Sequence, residues 1–230
     1  VAYGGDWSDL KTEVADRGHK SLSRTTEKAR VIRCCKAGLR AIQRRAVRHG
    51  FWWLCADTTL TLTSLEHEYA VPTDFCSFLG NSFRYGTRNL YFKRREWIDK
   101  YLGQNWSEST TGTTPRFFTL YGDQDGTPLQ IAGVPSSGFV TANPTIRYQY
   151  VRQEKYVSIG DDDDSTELYL PTQWMDTAVA GALVALLQIE DDPDWKDFMS
   201  VFNDGVRDMV AGHSAVIEVD EQQEVPVWYD

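Results

Sequence analysis

Residues 25–49 read TTEKARVIRCCKAGLRAIQRRAVRH, and the next five are Gly50-Phe51-Trp52-Trp53-Leu54. Ile32, Cys35, Leu39, Ile42 and Ala46 recur at spacings of three and four, which places them on one stripe of an α-helix. Arg33, Lys36, Arg40, Arg44 and Arg48 fall on the opposite face. Thr25 or Thr26 can cap the start, and Gly50 stops the helix ahead of an aromatic cluster. An apolar stripe of this length must be covered by another element, so partner helices are expected elsewhere in the chain.

Upstream, Asp9–Arg17 is predicted to be a short helix, with Leu10 and Val14 at i,i+4 and Gly18 at its end. Downstream, the pattern from Asp57 changes to period two, rich in β-branched and aromatic residues. The predicted strands are Thr58–Leu62, Glu66–Ala70, Leu79–Arg84, Asn89–Phe92, Arg116–Tyr121, Pro128–Ala132 and Thr145–Arg152. Arg94–Tyr101 reads as a short helix and Gly103–Thr114 as a polar loop, with turns at Gly122–Gly126 and Pro135–Gly138. Links of hairpin length imply an antiparallel meander or small barrel.

Helical spacing returns at Pro171. Trp174, Ala178, Ala182, Ala185 and Ile189 share one face of a helix rich in small residues. After a break at Glu190–Pro193, Trp195, Phe198, Met199, Phe202, Val206 and Val210 mark the buried side of another, closed by Gly212. The remainder is acidic and expected to be extended. The expected fold is α+β. N- and C-terminal helices (1–56 and 171–212) form a helical bundle, with an inserted antiparallel β domain (57–170) and an extended C-terminal arm (213–230).

Charge is divided along the chain. The net charge is −9, yet from Asp161 onward eighteen carboxylates face only Lys196 and Arg207. Residues 1–160 carry fifteen acids against twenty-two bases, a net of +7. A basic front and an acidic back can attract one another between copies, or simply keep the chain soluble. Aromatic residues make up 13%, with eight Trp, enough for a core and for contact surfaces.

Cys34, Cys35, Cys55 and Cys76 show no C-x-x-C spacing, so reduced thiols are expected rather than a zinc site or a disulfide framework. No signal-peptide pattern is read, and the longest apolar run, Ala178–Leu187, is too short to span a membrane. The chain opens on Val1 rather than Met, which leaves room for an initiator Met or more ahead of it.

Catalytic motifs are missing. His19, His49, His67 and His213 are scattered, and there is no G-x-S-x-G, H-E-x-x-H or phosphate-cradling Gly-Lys-Ser/Thr loop. Asp161–Asp164 could offer oxygen ligands to a hard cation, but consecutive carboxylates diverge and read as a solvated linker. Asp123-Gln124-Asp125-Gly126 lacks the later bidentate Glu of a calcium loop and reads as a hairpin turn. No catalytic, cofactor or metal residue is assigned. Two features suggest contact with other molecules. The basic face Arg33, Lys36, Arg40, Arg44 and Arg48 suits a solvated surface, an acidic protein surface or a run of phosphates. The tail Val225, Pro226, Val227, Trp228 and Tyr229 either folds back or serves as an arm with two aromatic anchors.

Several short segments in order resemble one family. They are Leu10-Lys11-Thr12-Glu13-Val14; the Arg-rich helix from Arg44-Arg45 to Gly50-Phe51-Trp52-Trp53-Leu54; and Glu68-Tyr69-Ala70-Val71-Pro72-Thr73-Asp74-Phe75. Pro115-Arg116-Phe117-Phe118, Ile146-Arg147-Tyr148-Gln149-Tyr150, the acidic run before Leu170-Pro171, and Trp174 through Gly181-Ala182 complete the series. Together they resemble the head-to-tail adaptor (neck or connector) proteins of tailed bacteriophages, the group of tail tubular protein A. The family's proline-rich stretch after the Tyr-x-Tyr strand is replaced here by Val151-Arg152-Gln153-Glu154-Lys155.

The resemblance implies a virion protein made in the host cytoplasm, with no enzyme activity, cofactor or membrane partner. It implies a homo-oligomeric ring of twelve subunits docked on the portal protein. A tail nozzle or tube protein would sit on the other side, with genomic DNA passing through the lumen. Residues 213–230 would be the portal-gripping arm. A head-completion or tail-terminator ring is the nearest alternative. A virion-associated hydrolase, which needs two positioned carboxylates, is the alternative from another class.

Overall fold

The stripe at 25–49 forms one helix from Thr25 to His49. It ends on Gly50, whose left-handed backbone (φ 64°, ψ 44°) lets its N–H reach the Ala46 carbonyl. The computed structural model describes residues 4–79, 83–108, 112–121, 129–157, 159–160 and 166–221. In chain order its elements begin with β1 (Gly4–Asp6), α1 (Trp7–Arg17), α2 (Thr25–His49), β2 (Cys55–Thr61), β3 (Glu68–Tyr69) and β4 (Phe75–Phe78). Next come β5 (Arg84–Tyr85), β6 (Arg88–Asn89), β7 (Tyr91–Phe92), α3 (Arg95–Leu102), β8 (Phe117–Leu120) and β9 (Leu129–Ala132). The last are α4 (Ser137–Ala142), β10 (Thr145–Arg152), β11 (Glu167–Pro171), α5 (Met175–Ile189) and α6 (Trp195–Glu221). They fall into two compact units: one holds the residues up to Leu54 and those from Gln153 onward, the other Cys55–Arg152.

In the helical unit, α2 and α6 both pack along α5, and α1 packs against α2 and α5. Small residues set the approach. A Cβ added at Gly38 of α2 would stand 2.7 Å from the Ala182 nitrogen and 2.8 Å from the Ala178 carbonyl oxygen of α5. One added at Gly181 would meet the Phe202 ring of α6 at 2.9 Å. These distances are below real Cβ contacts, so α2 meets α5 backbone to backbone and the Phe202 ring of α6 lies directly on Gly181 of α5. Most of α5 is buried all round, as expected of a central helix with little polar surface. Trp7, Leu10, Val14, Leu39, Phe51 and Leu183 are sealed in the core around it.

The chain from Gln153 to Leu170, assigned to the β domain by its sequence, lies in the helical unit. The buried Gln43 of α2 accepts the Glu154 N–H at 2.8 Å, and Lys36 donates to the Ile159 carbonyl at 3.0 Å. Glu154 is itself buried, and one carboxylate oxygen accepts the N–H groups of Lys155 (3.0 Å) and Tyr169 (2.8 Å). Burial pushes its pKa up, and those amide donors oppose the rise. β11 then pairs antiparallel with β1, Gly4 opposite Pro171 and Asp6 opposite Glu167. Three residues are too few to show a period, and this ribbon was missing from the sequence reading.

Gly212 does not close the last helix, which runs on to Glu221. The first nine residues of the expected extended arm are therefore helical. Ala211, Ala215 and Glu218 favour a helix, Pro is absent until Pro226, and one interior Gly costs only about 1 kcal/mol. No described helix is long and apolar enough to cross a membrane.

In the strand unit, β10 is the organising strand. One edge pairs with β2 residue by residue, from Thr145 opposite Thr61 to Val151 opposite Cys55. β4 and β5 share the other edge, and β6 continues from β5. The strand Ile146-Arg147-Tyr148-Gln149-Tyr150 alternates as its period predicts: Ile146, Tyr148 and Tyr150 buried, Arg147 and Gln149 exposed. A second sheet has the order β3-β9-β8-β7. Its β7–β8 pair is parallel, Tyr91 opposite Phe117, so the unit is not wholly antiparallel. The intervening α3 and loop give the chain room to return in the same direction. Between Pro135 and Asn143 the expected turn contains α4, whose N-cap Ser136 accepts the Phe139 N–H.

Aromatic rings fill this unit. Phe83 stacks on Phe118 (3.9 Å between centroids) and on Tyr148 (4.4 Å), while Phe78 stands edge-on to all three.

Candidate functional site

The basic face of α2 divides into two parts. Arg33, Arg44 and Arg48 are exposed. Lys36 and Arg40 also serve inside their own unit, Lys36 bonded to the Ile159 carbonyl and Arg40 lying 5.9 Å over the Tyr156 ring. Neighbouring Arg30 pairs with Glu190 at 3.0 Å, which Lys20 also meets at 2.7 Å. The second predicted contact feature, Val225, Pro226, Val227, Trp228 and Tyr229, lies outside the described residues, as do Asp161–Asp164 and Asp123–Gly126.

The strand unit carries a surface that the sequence reading missed. Tyr91, Phe92, Trp97, Tyr101, Leu120 and Tyr121 are all exposed, each by 38–57%. Trp97 and Tyr101, one turn apart on α3, stack at 4.8 Å, and both meet Phe117 edge-on. Lys93 lies 5.0 Å over Trp97, and Arg95 lies 5.2 Å over Tyr121. The buried Ile98 anchors α3 from below. Trp106 donates to Asp99 of α3 at 2.8 Å, tying the helix to the loop that follows it, and Arg95 of the same helix donates to that carboxylate oxygen at 2.8 Å. Arg95 also donates to Gln130, which donates in turn to Glu68 at 2.8 Å. Exposed rings on a braced helix, with cations lying over them, are what a protein interface presents.

A family model described as SU10 adaptor protein matches residues 6–223. The chain belongs to the SU10 adaptor protein family. Among curated proteins, none matches it. Membership makes the protein a structural phage adaptor, a virion component that contacts other head and tail proteins.

In this adaptor several of the residues that carried the resemblance are internal ties. Tyr69 is buried and donates to the carbonyls of Thr63 (3.3 Å) and Glu66 (3.1 Å), fastening the turn ahead of β3. Asp74 accepts the Tyr150 hydroxyl at 2.9 Å, and Phe75 lies against Phe78. Burial, reinforced by Asp74, pushes the Tyr150 hydroxyl up to about 12, and burial alone does the same for Tyr148. Both stay neutral, which suits packing.

An open cleft of about 940 Å³ on the strand unit is lined by Asp57, Thr58, Arg84, Asn89, Arg147 and Gln149. Among the described residues its lining has an acid and two arginines but no His, Ser–base pair or second carboxylate. Among the described residues no group of His, Cys, Asp and Glu could hold a metal ion. No disulfide joins the four cysteines. Burial raises the pKa of Cys34, Cys35 and Cys55, which keeps these thiols protonated and poorly nucleophilic.

Proposed function

We propose that this adaptor assembles as a homo-oligomeric ring of twelve copies between the portal of a phage capsid and the tail nozzle or tube. Genomic DNA passes through the lumen without sequence readout. The observation that carries this reading is the SU10 adaptor match, which spans both compact units. Two surfaces of different chemistry support it. The helical unit offers charge along α2, and the strand unit offers aromatic rings around α3. An assembly subunit needs separate faces for copies of itself and for unlike neighbours.

On this reading residues 225–229 grip the portal, with Trp228 and Tyr229 as anchors, and the aromatic face of the strand unit receives the tail-side protein. The carboxylates that dominate the chain beyond Asp161 give the ring an acidic lining along which DNA slides without sticking. The test is capture of the full-length adaptor by portal-bearing, tailless particles, compared with a chain lacking Val225–Asp230. Wild type is expected to bind and to appear as a ring below the portal in low-resolution images. The truncated chain is expected to be lost on washing. Capture that survives truncation unchanged removes the arm, and particles that bind adaptor without a ring remove the ring.

A further inference from the structure

Two oppositely charged stripes lie on the helical unit. On α2, Arg33, Ala37, Arg40, Arg44 and Val47 follow one another at spacings of four, three, four and three, and all are exposed. On α6, Asp197, Val201, Asp204 and Asp208 follow at four, three and four, and all are exposed, with Asp194 just ahead of the helix in line with them. From Arg33 to Val47 and from Asp194 to Asp208 each stripe advances fourteen residues in four steps, an average of 3.5, the repeat along which two helices run side by side. The α2 stripe lies opposite the buried Val31, Cys35, Ile42 and Ala46; the α6 stripe lies opposite the buried Phe202, Val206 and Met209. Both stripes are thus turned away from α5, the helix that α2 and α6 share.

We propose that neighbouring copies join through a head-to-tail seam in which the acidic stripe of α6 on one copy lies along the basic stripe of α2 on the next. This rests on the ring reading and specifies its contact. The partner is a second copy because the two stripes match in sign and repeat. From Lys28 to His49 there is no acidic residue. The two basic residues of α6, Lys196 and Arg207, stand to one side of its acidic stripe, and Arg207 is already 3.2 Å from Asp204. The small or apolar Ala37, Val47 and Val201 let the helices approach between the charges.

The same charges forbid the symmetric alternative. An α2 face against its own copy would oppose arginine to arginine, and an α6 face aspartate to aspartate. Only unlike faces pair, so the contact has a direction, and directional contacts close into rings or run on as filaments. Exposed ion pairs are individually weak and screened by salt, so the seam supplies register and direction and should loosen as salt rises.

Sedimentation velocity of the full-length chain tests this with three proteins: wild type, R33E/R44E/R48E and D197K/D204K/D208K. The chosen residues are exposed, and circular dichroism checks that each variant is folded. Wild type is expected to associate at low salt and dissociate as salt is raised to about 0.5 M. Each triple variant is expected to associate roughly 100-fold more weakly, because both of its faces then carry one sign. An equimolar mixture of the two variants is expected to associate again in alternation, as is the chain carrying all six changes. If a reversed variant fails to fold, the neutral sets R33Q/R44Q/R48Q and D197N/D204N/D208N must weaken association in the same direction. Variants that associate like wild type overturn the seam and leave the ring standing on another surface. Loss in the arginine variant that its aspartate counterpart does not restore shows a different acidic partner and overturns the proposal. Wild type that stays a single copy at low salt also overturns it; the ring is then judged separately from the particle images.

Discussion

In the helical unit one close contact is between backbones, Gly38 of α2 against Ala178 and Ala182 of α5. In the strand unit it is between rings, Phe83 against Phe118 and Tyr148. The exteriors differ as well. The outer faces of α2 and α6 carry arginine and aspartate, whereas α3 and its neighbouring strands leave Trp97, Tyr101 and Tyr121 in the open. A helix whose apolar stripe is fully covered has only charge left to offer a partner, and such contacts are screened by salt. Rings left at the surface offer area, and their contacts should be nearly indifferent to salt.

The two cores should fail in opposite ways. Phe83→Ala removes the ring between two others and leaves a cavity, at an expected cost of about 3–5 kcal/mol. Near-ultraviolet circular dichroism should weaken, and the urea midpoint should fall. A cost under about 1 kcal/mol would mean that Phe118 and Tyr148 close over the gap, so that the strand unit is not held by its rings. Gly38→Ala adds a single methyl, yet should cost about 1–3 kcal/mol, because its Cβ would press on the backbone of α5 rather than on a side chain that can turn aside. Gly138→Ala in α4 is the control. Nothing lies within 4 Å of its added Cβ, so it should be neutral or slightly stabilising. If Gly38→Ala and Gly138→Ala melt alike, the backbone contact does not matter.

Legibility followed range. The stop of α2 at Gly50 and the span of β10, Thr145–Arg152, could be read because a glycine cap and alternation are local signals; at the start of α2 the N-cap is Arg24, without a side-chain cap bond, rather than Thr25 or Thr26. The division of the last helical stretch near Glu190–Pro193 was readable for the same reason, and α5 ends at Ile189 with α6 starting at Trp195. What was lost depends on residues far apart in the chain. No period in α2 shows that Lys36 will bond Ile159 or that Arg40 will cover Tyr156, so the basic face looked more uniform than it is. Nothing local to α2 shows that Gly38 will lie against the backbone of α5. The parallel β7–β8 pair escaped because β7 has two residues, and direction is set by the partner. Trp97 and Tyr101 did carry a local signal, aromatic residues at i,i+4. Their exposure followed only once Ile98 was seen to take the buried position.

Those two residues give the test with the smallest expected effect on folding and the sharpest bearing on the contrast between the units. Trp97 and Tyr101 stack on each other, on Phe117 and beneath Lys93, and both are exposed, by 39% and 57%. Trp97→Ala with Tyr101→Ala should therefore shift stability by only about 1 kcal/mol. If the strand unit receives the tail-side protein, the same pair should act as a binding anchor, and its loss should weaken capture of that protein roughly 30-fold or more. Salt separates the two kinds of surface. The anchor's contribution should be equally large at low salt and at about 0.5 M, where the arginine and aspartate stripes are largely screened. A double variant that binds the tail protein as wild type does would make the aromatic surface an unpartnered fringe of the core. One whose defect vanishes at high salt would place Lys93 and Arg95, rather than the rings, at the contact, and the two units would then recognise their neighbours by the same means.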